Sequence, residues 1–162
     1  MIRVFIGFDP RESVAFHVLS QSIHARASQP VSITPIMLSQ LHGLMTRARD
    51  PLQSTDFSFS RFLTPFLCDY QGWAVFMDCD MLVLDDIVKL WELRNENYAV
   101  QVVKHDHIPK EDTKFYKEII KDILCVAPEY GKKIARTIFS KDLKCGNIFM
   151  NLEEPPSKNN KI

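Results

Sequence analysis

The sequence predicts an α/β fold, with a mixed central sheet flanked by helices. Three observations carry that expectation. Short apolar runs at residues 2–6 and 73–77 have the length of buried strands. Amphipathic stretches at helical spacing separate such runs, the alternation that builds layered α/β domains. A pair of carboxylates, Asp78 and Asp80, stands directly behind the second run, and the carboxyl ends of strands are where open α/β sheets bind ligands.

The elements follow in order. Residues 2–6 give a first strand, then Gly7-Phe8-Asp9-Pro10-Arg11-Glu12 leads into a helix. Asp9 is placed to cap it, Pro10 fits its first position, and Glu12 stands where a capping box wants a carboxylate. Phe16, Leu19, Ile23 and Ala27 form its buried face, and Gln29-Pro30 ends it. Residues 31–37 make a second strand, interrupted by Pro35. Residues 39–56 are polar, with Gly43 and Pro51, and read as a long loop or short helix of the kind that serves as a lid or binding loop. Residues 59–67 look helical, shortened or distorted by Pro65.

Trp73 to Met77 then forms a buried strand, and residues 81–84 continue extended. Asp86 caps a helix through Leu90 to Leu93, and residues 98–103 give another strand. Further on, Phe115, Ile119 and Ile123 predict a helix, Ile134 with Ile138 another, and residues 147–150 a last strand. Residues 1–152 thus read as a single domain and residues 153–162 as a polar, frayed tail.

Composition excludes several classes. The 162 residues are 46% hydrophobic and 25% charged, with 20 basic residues against 20 acidic ones. That length suits one compact domain, and the neutral balance removes the electrostatic footprint of a nucleic-acid or polybasic membrane binder. No apolar run approaches the roughly 20 residues of a transmembrane segment, and the amino terminus reads as a strand rather than a signal peptide. The four cysteines are widely spaced without zinc-ligand pairing, as free thiols in a reducing cytoplasm would be. The five scattered glycines form neither a Walker loop nor a dinucleotide fingerprint.

Asp78-Cys79-Asp80 is the most informative feature. In extended chain, residues at i and i+2 share a face. Two hard oxygen ligands on one face suit Mn²⁺ or Mg²⁺, which take one or two carboxylates plus phosphate and water. The alternative is that both aspartates are turn formers or caps.

Joined in order, Gly7-Phe8-Asp9, then Phe57-Ser58-Phe59-Ser60-Arg61-Phe62-Leu63, the strand at 73–77, Asp78-Cys79-Asp80 and Asp86 to Trp91 resemble a sugar-nucleotide glycosyltransferase of the GT-A fold, most of all glycosyltransferase family 8. The resemblance covers residues 1–115. It implies a GT-A, Rossmann-like mixed sheet and a metal-dependent transfer of a hexose from a UDP-sugar donor to a saccharide or other hydroxyl acceptor. It also implies that Gly7, Phe8 and Asp9 line the base and ribose, with Arg11 approaching the same pocket. Arg61 matches the family's arginine facing the donor, a partner for diphosphate or sugar. Asp78 and Asp80 match the metal pair, holding Mn²⁺ or Mg²⁺, and Cys79 supplies backbone near the ribose.

In the family a later region supplies the acceptor pocket and a histidine that completes the metal site. The five histidines here, His17, His24, His42, His105 and His107, precede such a region, and Cys145 to Asn151 matches the family poorly. Eleven of the twelve lysines lie from Lys104 onward, consistent with a truncated or divergent carboxyl-terminal part. Two alternatives follow. A donor-binding or assembly module would keep the fold without the reaction, with exposed apolar surface for a homo-oligomer. A haloacid-dehalogenase-like phosphatase also places Asp-x-Asp after an apolar strand, although normally near the amino terminus.

Overall fold

The fold is described from a computed structural model, over residues 1–51, 53–102 and 148–151. Five strands form one sheet in the order β2-β1-β3-β5-β4. Strand β1 (Ile2–Phe8) runs parallel to β2 (Val31–Met37), with Ile2 opposite Val31 and Phe8 opposite Met37. On its other side β1 runs parallel to β3 (Trp73–Met77), Phe5 facing Phe76. Strand β5 (Ile148–Asn151) is antiparallel to β3 and to β4 (Val100–Val102), so the sheet is mixed.

Parallel neighbours require a crossover, and helix α1 (Ser13–His24) connects β1 to β2. Its Leu19, Ser22 and Ile23 are buried. The regular helix stops at His24, short of Gln29-Pro30, because a closing turn forms there: Ala25 and Ala27 donate to the carbonyls of Gln21 and Ile23. The Ser28 N–H then turns away to Asp86 Oδ1 at 3.3 Å. Pro35 lies on β2, an edge strand, where a missing backbone donor is tolerated.

The second crossover, from β2 to β3, carries helix α2 (Phe57–Ser60), a 3₁₀ turn (Arg61–Leu63) and helix α3 (Thr64–Leu67). Pro65 explains the break. In a continuous helix its N–H would bond the Arg61 carbonyl, and proline has none. The Thr64 hydroxyl donates to that carbonyl instead, at 2.8 Å. The described residues of 39–56 lack regular structure apart from a 3₁₀ turn ending at Gln40, yet Leu41 and Gln53 among them are buried.

Every residue of β3 is buried, and its ends coincide with the apolar run. Residues 81–84 do not continue as a strand. The Val83 N–H donates to the Ser22 hydroxyl of α1 at 3.0 Å, so this segment is tied to the helix rather than the sheet. Helix α4 (Ile87–Trp91) is capped by Asp86, whose carboxylate accepts from the Val88 N–H, and it ends before Leu93. The helices expected around Phe115 and Ile134, His105-Asp106-His107 and the polar tail lie outside the described residues.

The candidate donor and metal site

The candidate residues gather at the carboxyl ends of two adjacent parallel strands. Asp9 follows β1 and Asp78 follows β3. Register fixes the faces. Phe5 pairs with Phe76, so Gly7 and Asp78, two residues further on, continue that face. Helix α2 packs there, with the Phe57 ring 6.4 Å from that of Phe76. Phe8 takes the other face and meets Phe16 of α1 edge-on at 5.4 Å.

Asp9 is completely buried. Its Oδ1 accepts from the Arg11 N–H and Arg11 Nε, both at 2.9 Å. Its Oδ2 accepts from Arg11 Nη2 at 2.5 Å and from the Asp56 N–H at 3.1 Å. Four donors fill the acceptor positions of one carboxylate. They hold its pKa well below the usual carboxylate range, the Arg11 side chain foremost, against the opposing effect of burial. Arg11 also reaches the Ser54 carbonyl at 2.8 Å. The pair therefore straps the 54–56 segment, and α2 behind it, to the end of β1. Asp9 is indeed a cap, accepting from the Arg11 N–H over the 3₁₀ turn Pro10–Glu12.

Asp78 sits differently. Its Oδ1 lies 3.0 Å from Arg61 Nη1, the spacing of an ion pair, but the two are not aligned for a hydrogen bond, and among the described residues this buried oxygen has no other partner. Burial pushes the Asp78 carboxyl up; Arg61 opposes this, and the charges of Asp80 and Glu12 add to it. Arg61 is itself mostly enclosed. Nε donates to the Phe57 carbonyl at 3.3 Å, and the guanidinium lies 5.2 and 5.1 Å from the Phe57 and Phe76 ring centres.

The extended chain stops at Met77, and Cys79 and Asp80 form a turn. The i, i+2 argument for a shared face therefore does not carry through the triplet; Asp80 is exposed while Asp78 is partly enclosed. Between them Cys79 is buried, and its thiol donates to Glu12 Oε2 at 3.1 Å. Burial and that carboxylate push the thiol up to about 12. Glu12 accordingly does not close the expected capping box: it makes no cap hydrogen bond, and its side chain is directed to the acidic turn.

The model for glycosyl transferase family 8 matches residues 15–130. The chain belongs to that family. Protein CDI of Arabidopsis thaliana is 56% identical over 114 residues, which are 69% of this chain and 44% of that protein. The chain thus spans less than half the length of that relative. Among solved structures, the apo bifunctional glycosyltransferase WbbM superposes with a TM-score of 0.58 at 16% identity, over 94% of this chain and 31% of WbbM. The galactosyltransferase LgtC, solved with donor and acceptor sugar analogues, gives 0.52 at 14% identity, over 94% of this chain and 58% of LgtC. These likenesses establish the GT-A fold.

For a family 8 domain, the structure brings together Arg61 and Asp78, and separately Asp9 and Arg11. Gly7 has a packing role that sequence reasoning missed. A Cβ there would stand 2.3 Å from Cδ2 of Phe57, so only glycine lets this ring lie against β1 beneath Arg61. Glu12 was likewise read only as a cap. Its partner Cys79 is far away in sequence, and no local pattern signals the pairing. The open groove along α1, lined by Val14, Val18 and Leu82 among others, contains none of the candidate residues.

Carboxylates are the ligand type a hard divalent ion takes. Asp78 and Asp80 stand on either side of Cys79, and Asp78 Oδ1, paired in charge with Arg61, is buried without a hydrogen bond among the described residues. Among the described residues no third histidine, cysteine or carboxylate joins them as a ligand group. Phosphate and water oxygens commonly complete the shell of Mg²⁺ or Mn²⁺.

Proposed function

We propose that this domain transfers a hexose from a UDP-sugar to an acceptor hydroxyl, with Asp78 and Asp80 holding Mn²⁺ or Mg²⁺. The observation that carries the reading is the unbonded Asp78 oxygen, beside Arg61, at the carboxyl end of a central strand in a family 8 domain. The match to LgtC, which was solved with donor and acceptor sugar analogues, supports a nucleotide-sugar donor and a saccharide acceptor.

Departure of the sugar leaves negative charge on the diphosphate. The bound ion would supply Lewis-acid stabilisation of that charge. Arg61 adds a planar positive fork suited to phosphate oxygens. Asp9 and Arg11 keep the 54–56 segment against the strand end, which positions α2 and so Arg61. The backbone of Gly7, Phe8 and Cys79, at the ends of β1 and β3, would line the base and ribose.

Calorimetric titration with UDP, with and without Mn²⁺, tests the reading. Wild-type protein should bind UDP in a Mn²⁺-dependent way, and Asp80→Ala should weaken that binding at least about tenfold. Unchanged affinity in the variant removes Asp80 from the site.

A further inference from the structure

We propose that Arg61 is the resident counter-cation of Asp78: it occupies this carboxylate in the absence of a divalent ion, yields it when the ion binds, and carries its charge onto the donor diphosphate. The inference rests on the metal-site reading above and adds to it a competition, and hence a coupling between ion and nucleotide.

The geometry is that of a partner holding a place. The 3.0 Å contact to Asp78 Oδ1 is close enough for charge pairing but not aligned for a hydrogen bond. Arg61 does not depend on that contact for its position. Nε is held by the Phe57 carbonyl and the guanidinium lies beside two aromatic rings, so Nη1 can leave Asp78 while the rest of the side chain stays anchored.

A divalent ion on the same carboxylate would repel the guanidinium strongly in this poorly solvated setting. A lysine there could relieve the repulsion by losing its proton. Arginine cannot, so the relief must come from movement. The nearest compensation would be a diphosphate on the same ion, whose oxygens accept the guanidinium fork. Ion binding alone is then opposed by Arg61, and nucleotide binding removes the opposition. By linkage the ion raises nucleotide affinity by the same factor.

The test is Mn²⁺ binding without nucleotide, followed by the free-ion paramagnetic resonance signal, for wild type, Arg61→Gln, Arg61→Lys and Asp78→Asn. UDP affinity at saturating Mn²⁺ is then measured for each. Arg61→Gln should bind Mn²⁺ about fivefold more tightly than wild type. The same variant should bind UDP about tenfold more weakly. Arg61→Lys should fall between in both, and serves if the glutamine variant does not fold. Mn²⁺ affinity equal to or weaker than wild type in the folded Arg61 variants overturns the inference. If Asp78→Asn abolishes Mn²⁺ binding in that case, the metal site stands and only the role of Arg61 falls. If Asp78→Asn binds Mn²⁺ like wild type, the metal site falls and the inference with it.

Discussion

Asp9 and Asp78 end neighbouring parallel strands, and each faces an arginine, yet their chemistry is opposite. Asp9 is fully buried with all acceptor positions used, and its environment favours the charged form. Asp78 is partly enclosed, has one unaligned ion pair and a buried oxygen without a hydrogen bond, and its environment disfavours the charge. A carboxylate with every acceptor position filled is part of the scaffold. One held at a strand end with an unfilled oxygen is, in our proposal, the one that meets a ligand. The same residue type, one strand over, thus stands in an opposite environment, and the neighbours decide which.

The largest expected effect breaks the scaffold side of this contrast. Asp9→Asn removes the charge that pairs with Arg11 and one acceptor for the Asp56 N–H, and should destabilise by about 2–4 kcal/mol. Melting by circular dichroism should fall by about 10 °C. Arg11 is substantially exposed, so the loss should stay below that of a fully buried pair. A melting temperature within about 2 °C of wild type would show that the strap is dispensable.

Gly7→Ala comes next. Its methyl would collide with the Phe57 ring, so a cost of about 1–3 kcal/mol is expected, together with displacement of Arg61 and weaker UDP binding. Adding Phe57→Leu should recover part of the stability. No recovery would place the strain elsewhere.

The pH dependence sharpens the contrast with a smaller effect. Asp9 has a folded pKa below its unfolded value, so its contribution is complete above about pH 4 and is lost as pH falls through the folded value. The deficit of Asp9→Asn relative to wild type should therefore shrink under acid. Asp78 has a raised folded pKa, so its charge costs stability at neutral pH, and the cost disappears as pH falls. Asp78→Asn should melt at or slightly above wild type at pH 7, with the difference vanishing under acid. Melting curves between about pH 3 and pH 7 separate the two signs.

Much of the frame was legible in the sequence because it is written locally. The apolar run at 73–77 matches β3, and Asp9 and Asp86 cap where local spacing places them. Pro35 does not interrupt the second strand as its residue type suggests: β2 runs unbroken from Val31 to Met37, because it lies at the sheet edge. The antiparallel β5 also falls where the residues 147–150 suggested. What was not legible depends on pairings between distant segments. Asp9 to the Asp56 N–H, Cys79 to Glu12 and Gly7 beneath Phe57 each join segments whose local patterns are silent about one another. The spacing of Asp78 and Asp80 reads as extended chain, but the turn after Met77 gives the two aspartates unequal exposure, a difference that spacing alone does not encode.

The most direct measurement puts Asp9→Asn and Asp78→Asn through the same two assays, thermal melting and UDP calorimetry at saturating Mn²⁺. Asp78→Asn should lose Mn²⁺-dependent UDP binding by at least about tenfold while its melting temperature stays within about 2 °C of wild type. Asp9→Asn should lose stability and, where folded, bind UDP more weakly through the displaced Arg61 while keeping the dependence of that binding on Mn²⁺. Wild-type UDP affinity in Asp78→Asn would contradict the claim that this carboxylate is the one held ready for a ligand.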